Sequence, residues 1–345
     1  MAGATKTYLD LIQECDGFPF PDQKNYARIT SQLYQFRLKK VWRGDDDESD
    51  RGSANPDSYV TVGWMLASVV DQVPWTDKFR VDHGAQTVSI PWPTEGPGSA
   101  LEHGSFESQA ILEQLQLARK LDRVPILRKW RNESYRILGL SDGREVRMER
   151  AGSAVFGINT VGVHVLGFSR IEGLKESEDN LRLWIPRRSP TKQTYPNMLD
   201  NTIGGGMTAE EDAVGCLVRE AYEEASLPPD YVKAHARAAG AISYFLVRDE
   251  RAGGPEEVGL LQPSTQILYD LELKAGVVPK PSDGEVAEFL LWTPAQTIAG
   301  LKEGRFKPNS SLAWIDFLIR HGYVTAQNEP DYLELVSRLH RRLHF

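Results

Sequence analysis

The chain of 345 residues is long enough for about two domains, and 41% hydrophobic with 26% charged residues is the balance of a globular protein that can fill a core. A formal net charge of −8 argues against a general binder of nucleic acid or anionic membrane, both of which need a basic face. A phosphorylated ligand stays open, because a bound divalent cation inverts the local sign.

Two cysteines, Cys15 and Cys216, are too few for a disulfide framework or a cysteine-rich zinc site. No run of about 18 apolar residues and no apolar N-terminal signal core is evident, so a reducing, cytoplasmic setting is the expectation. A first helix is predicted over residues 6–14. Residues 44–58, GDDDESDRGSANPDS, are acidic and poor in apolar side chains, and read as a solvated loop. TVGWMLASVVDQV then reads as an amphipathic segment, PWPTEGPGS (91–99) as a Pro/Gly-rich loop, and residues 108–121 as a helix through Ile111, Leu112, Leu115 and Leu117. Trp42, Trp64, Trp75 and Trp92 are half of the chain's 8 tryptophans and argue for a packed domain rather than a tail.

The texture changes around residues 144–150. AVFGINTVGVHVLGF (154–168) reads as one or two buried strands, with His164 between Val163 and Val165, and LRLWIPRR alternates as a half-buried strand should. A Gly-Gly-Gly turn (204–206) and an acidic helix over residues 210–225 follow, with Cys216 as a small buried hydrophobe. Strands in AISYFLVRD, QILYDLELK and EFLLWTP and a helix in NSSLAWIDFLIRHG complete the pattern, without internal repeats. The expected division is 1–150, 151–330 and a C-terminal helix over 331–345.

Residues 205–227, GGMTAEEDAVGCLVREAYEEASL, gather six carboxylates against one basic residue. On a helix, Glu220, Glu223 and Glu224 share one face at i, i+3 and i+4. Like charges so placed cost ~0.2–0.5 kcal/mol per pair, and the macrodipole disfavours anions at this end. Such a cluster is either a solvated acidic face or a site for a hard cation with waters left for a phosphate. The spacing separates them: Gly205, five residues, Glu211, seven residues, Arg219-Glu220, two residues, Glu223-Glu224. It resembles the Nudix box, G-x5-E-x7-R-E-U-x-E-E-x-G-U with U apolar. Every charged position is filled. Ala221 at the first U and Ser226 in place of the last glycine depart from it, the latter where glycine suits a left-handed turn.

The resemblance implies an α/β/α sandwich, here with an N-terminal α+β domain, and hydrolysis of a diphosphate joined to another moiety. It implies Mg2+, or Mn2+, held by Glu220, Glu223, Glu224 and the Gly205 carbonyl. Arg219 would pair with Glu211, and Glu220 or a carboxylate outside the box, with Glu285 first, would serve as general base. The flanks LWIPRRSPTKQTYPNMLDNTIGGGM, YDLEL and DGEVAEFLLW, with KWRNESY and MERAGSAVFGINTVGVHVLGF before and FKPNSSLAWIDFLIRHGY after, are more particular. They resemble two-domain Nudix proteins of fungi and plants related to the Nudix half of thiamin pyrophosphokinase fusions. That implies a small-molecule partner, thiamin diphosphate in oxidised or otherwise damaged form, cleaved to the monophosphate.

Arg187, Arg188 and Lys192 are candidate phosphate contacts. Trp184, Tyr195 and Tyr244 are candidates for stacking on a ring, with core packing as the plain alternative. Gln193, Thr194 and Asp200 are candidate polar contacts. Rival readings are hydrolysis of a nucleoside diphosphate derivative such as ADP-ribose, and a non-catalytic Nudix binding module, which the intact set of box carboxylates opposes. Isopentenyl-diphosphate isomerase is a third, opposed by DNTIGGG, which holds no cysteine.

Overall fold

The computed structural model describes residues 5–40, 59–92, 100–171, 173 and 180–343. Trp42, the acidic stretch 44–58 and residues 93–99 of the Pro/Gly-rich loop lie outside the described residues. Helix α1 (Tyr8–Cys15) starts at a capping box: the Thr7 hydroxyl accepts from the Asp10 N–H, and the Asp10 carboxylate accepts from the Thr7 N–H. The first part continues through α2 (Tyr26–Thr30), β1 (Leu33–Lys39), β2 (Tyr59–Leu66), α3 (Ala67–Gln72), β3 (Arg80–Asp82), β4 (Thr87–Ile90), α4 (Ala100–Lys120), β5 (Ser134–Arg136), β6 (Arg147–Glu149) and α5 (Ser153–Phe156).

The segment read as one amphipathic element is divided between β2 and α3. Its β-branched and aromatic start pairs along β1 in register, and the chain turns helical only after the extended Leu66. The four-stranded sheet runs β2-β1-β4-β3, with β1 and β4 parallel. Phe36, Met65, Ile90, Ile111, Leu115 and Phe156 fill the core beneath it. Helix α4 begins earlier than its apolar spacing suggested, because its first turns are polar.

The stretch read as one or two buried strands starts as the short helix α5. It ends at Gly157, whose φ of +58° is left-handed and where a Cβ would stand 1.9 Å from the Trp64 carbonyl oxygen. Only then does β7 (Thr160–Arg170) begin. It is followed by β8 (Leu181–Arg188), β9 (Ile203–Gly206), α6 (Ala213–Ala225), α7 (Pro229–His235), β10 (Ala236–Val247), β11 (Leu261–Glu272), β12 (Val286–Trp292), α8 (Pro294–Lys302), α9 (Pro308–Arg320) and α10 (Tyr332–Arg338).

The second sheet runs β10-β11-β7-β8-β12, with β9 paired to β7. Strands β7 and β11 are parallel and the remaining pairs antiparallel. Strand alternation sends Val163, Val165, Trp184 and Ile203 to one face, beneath α6 and α7. Leu166, Phe168, Leu183 and Ile185 go to the other, beneath Trp314 and Phe317 of α9. The result is an α/β/α sandwich beside an α+β part. Tyr8, Leu11, Ile12 and Cys15 of α1 join the α9 layer, so the first helix of the chain packs in the last core.

Candidate active site

Helix α6 starts at Asp212, whose carboxylate accepts from the Gly215 N–H at 2.7 Å. Its buried stripe is Cys216, Leu217, Ala221 and Ala225, so the small Ala221 sits against the sheet. It ends at Ser226 with φ +53°, a left-handed position that costs a non-glycine residue roughly 1–2 kcal/mol. The stripe beside it carries Arg219, Glu220, Glu223 and Glu224 into a cleft of about 980 Å³.

Arg219 grips Glu211 through two bonds, Nε to Oε2 at 3.1 Å and Nη2 to Oε1 at 2.8 Å. Its Nη1 reaches Glu220 Oε1 at 2.8 Å and Glu223 Oε2 at 3.1 Å. Burial pulls the Glu211 carboxyl up, but the Arg219 bonds and the Thr208 N–H hold it below the ordinary range. Glu220 is pushed upward by burial, which outweighs Arg219. Glu224 rises further: desolvation and the charge of Glu220 raise it, and the Gly204 N–H, donating to Oε2 at 3.0 Å, offsets only part.

The three glycines expected as a turn are extended instead: they belong to β9, opposite Gly162, Val163 and His164 of β7, and two of them make room for a neighbour. A Cβ on Gly205 would stand 1.8 Å from Glu220 Oε1, and one on Gly206 would stand 2.1 Å from the Tyr135 hydroxyl. Strand β9 therefore lies directly under Glu220 on one side and under a tyrosine of the first part on the other. The first part is tied on at the same place. The Ala209 N–H donates to the Ser134 carbonyl at 2.8 Å, and Arg136 donates to the Ala209 carbonyl at 2.9 Å.

Among the described residues no three carboxylate, histidine or cysteine side chains converge as a metal cluster, and Arg219 supplies the positive charge between Glu220 and Glu223. The oxygen donors present are of the kind a hard cation takes. Two neighbouring carboxyls lack enough counter-charge, Glu223 is exposed and can turn from Arg219, and Gly205 lines the same cleft.

The structure brings Arg188, Lys192, Gln193, Thr194, Tyr195, Tyr244 and Glu285 to the cleft wall. Lys192 pairs with Glu285; burial pulls Glu285 up, but the bond and charge of Lys192, with the charges of Arg188 and Arg131, hold it low. Arg188 binds Asp200 at 2.5 Å and donates to the Thr194 and Tyr195 carbonyls, so it shapes the loop. The buried Tyr195 hydroxyl has no hydrogen-bond partner among the described residues, and the Tyr244 hydroxyl accepts from Asn309 at 3.1 Å. His164 also lines the cleft, and burial pushes its pKa down to about 3, so it is neutral.

Two expectations are corrected. Trp184 does not reach the cleft: its position in β8 turns it beneath α6, where Nε1 donates to Ser169 Oγ at 3.0 Å. Arg187 is also absent from the cleft, because alternation places it opposite Arg188, and it pairs with Glu288 at 2.7 Å. Lining residues that sequence reasoning passed over include Tyr135, Arg131, Arg150 and Gln266. The first two stand in KWRNESY, a stretch with no periodicity to mark them.

A glycine strand leading into a helix whose Arg and Glu residues face a cleft fits a hydrolase of pyrophosphate bonds. The comparisons agree. The NUDIX domain family matches residues 174–315. Uncharacterized protein YJR142W of Saccharomyces cerevisiae is 40% identical over 235 residues, 67% of this chain and 67% of its own. Nudix hydrolase 20, chloroplastic, of Arabidopsis thaliana is 38% identical over 196 residues, 56% of this chain and 48% of its own, so the match spans about half of that relative. The crystal structure of DR0079 from Deinococcus radiodurans is similar at 24% identity, covering 61% of this chain and 100% of its own with a TM-score of 0.33. The chain belongs to the Nudix superfamily. Among the described residues no helix is long and apolar enough to cross a membrane.

Proposed function

We propose that the chain hydrolyses the diphosphate of thiamin diphosphate derivatives in the cytoplasm. Oxidised forms such as oxythiamin diphosphate are preferred, and the products are the monophosphate and inorganic phosphate. One observation carries the reading: a single cleft is lined both by the carboxylates of α6 and by neutral hydrogen-bonding groups, among them Gln193, Tyr195, Tyr244 and Gln266. The diphosphate belongs with the first set and a polar heterocycle with the second.

Nudix hydrolases use divalent cations, and Glu220, Glu223, Glu224 and the Gly205 carbonyl would hold Mg2+ or Mn2+ here. Such a cation, when bound, polarises phosphoryl oxygens and acidifies a coordinated water. Arg219 keeps the helix in place through Glu211. Lys192 turns from Glu285 to the substrate phosphate, as a charge-assisted bond allows. Glu285, released from that partner, returns toward the ordinary carboxylate range and takes the proton of the attacking water. Residues 1–150 close the cleft over the organic end.

In oxythiamin diphosphate a carbonyl replaces the exocyclic amine of the pyrimidine, so a donor becomes an acceptor. The unpartnered Tyr195 hydroxyl and the Gln193 amide can donate to it. Left unpaired against normal thiamin diphosphate, a buried donor costs roughly 1–3 kcal/mol. The test is phosphate release from oxythiamin diphosphate, thiamin diphosphate and ADP-ribose, with and without Mg2+. We expect kcat/KM about tenfold or more higher for the oxidised analogue than for thiamin diphosphate. Equal rates would remove the preference, and cleavage of ADP-ribose alone would remove thiamin.

A further inference from the structure

Within the Nudix segment the cations on the cleft wall already face carboxylates: Arg219 faces Glu211, Arg188 and Lys307 share Asp200, Lys192 faces Glu285, and Arg248 faces Glu257. A substrate diphosphate brings more negative charge than Lys192, turned from Glu285, meets by itself. Two arginines on the same wall come from outside that segment, Arg131 and Arg150.

The guanidinium of Arg131 has no hydrogen bond or ion pair among the described residues. Only its backbone N–H is engaged, donating to Glu149 Oε1 at 2.9 Å. Arg150 pairs with Glu133 at 2.8 Å, and both side chains are partly exposed, so the pair is weak and exchangeable. The two arginines do not drift with a loose lobe. Arg150 donates its N–H to the Glu133 carbonyl at 2.8 Å and lies over the Tyr135 ring, and Tyr135 is seated on Gly206. Arg131 and Arg150 thus flank the small sheet of β5 and β6 and line the wall of the cleft. Their charges are felt there, Arg150 by Glu220 and Arg131 by Glu285.

We propose that Arg131 and Arg150 bind the substrate's diphosphate in the cleft that α6 lines, so that the first part of the chain supplies anion-binding residues to the Nudix site. A free guanidinium offers the planar fork that matches phosphate oxygens, which a lysine does not reproduce. The inference rests on reading the cleft as the diphosphatase site. It goes beyond that reading in making the first part a source of phosphate recognition.

The test uses the full chain with Arg131→Met, Arg150→Met, Arg150→Lys and, as a control, Arg128→Met. Arg128 carries the same charge nearby but lies outside the cleft and pairs with Asp122. KM and kcat are measured on every diphosphate the wild type cleaves. Affinity for methylenediphosphonate, a diphosphate without an organic group, is measured by calorimetry in Mg2+. Arg131→Met is expected to raise KM and weaken the probe by about 10- to 100-fold, with kcat within about threefold. Arg150→Met behaves alike, Arg150→Lys falls between, and Arg128→Met matches the wild type. Melting curves check the fold; if Arg150→Met is unstable, Arg131→Met and Arg150→Lys decide. Wild-type KM and probe affinity in the folded variants would overturn the inference, as would a loss confined to kcat. If the wild type cleaves no diphosphate, the reading of the cleft falls as well; if it cleaves one and the variants match it, this inference falls alone.

Discussion

Replacing Glu224 with glutamine separates the charge of the α6 cluster from its shape. Glutamine keeps an acceptor for the Gly204 N–H, which now donates to Glu224 Oε2 at 3.0 Å. What it removes is a negative charge recessed in the cleft one helical turn from Glu220. An exposed like pair at that spacing costs ~0.2–0.5 kcal/mol. A desolvated, under-paired acceptor costs roughly 1–3 kcal/mol. Glu224 is recessed rather than sealed, so without metal the variant should be about 1 kcal/mol more stable near pH 8, a rise in Tm of about 2–4 °C for a unit of this size.

The pH dependence has a definite sign. The folded Glu224 carboxyl lies above its unfolded value, so the native state binds more protons and loses stability as pH rises out of the ordinary carboxylate range, near 4.3. The advantage of the variant therefore grows from mild acid to pH 8 and vanishes below both values. With Mg2+ the order reverses, because ligand binding stabilises the wild type and not a protein short of one ligand. Turnover should fall at least about 100-fold, some 2.7 kcal/mol of barrier. Melting curves in EDTA and in Mg2+ at pH 5 and 8, with a phosphate-release assay, decide it. A variant no more stable at pH 8 in EDTA, with turnover intact, would refute the reasoning.

Gly205→Ala should lower turnover at least about tenfold while costing roughly 1 kcal/mol of stability, because the new methyl would stand 1.8 Å from Glu220 Oε1 and force that carboxylate off Arg219; unchanged turnover would contradict it. Ile12→Ala should cost about 2–5 kcal/mol in urea denaturation, since Ile12 is fully buried in the layer of Trp314 and Phe317. A loss under about 0.5 kcal/mol would mean that α1 contributes little to that core.

Local patterns were the legible part of this chain. The carboxylates of α6 could be read because helical spacing alone places i, i+3 and i+4 on one face, and because the Arg219–Glu211 pair is bridged by a single short segment. The strands β8, β10, β11 and β12 could be read because their apolar content and alternation are properties of a few adjacent residues. Ser226 stands where the sequence pattern calls for a left-handed glycine, and its φ is +53°.

Contacts between distant segments decided the rest. Gly206 is small because Tyr135 sits on it, a fact recorded nowhere near residue 206. Trp184 and Arg187 stand in the same strand as Arg188, yet the alternation of β8 and the position of α6 assign only Arg188 to the cleft. Helix α1 has the spacing of any amphipathic helix, and nothing in that spacing says that its partner lies some 300 residues away in α9. Periodicity reports which side of an element is buried; which surface it meets, and therefore which arginines face the carboxylates, is set by the packing of the whole chain.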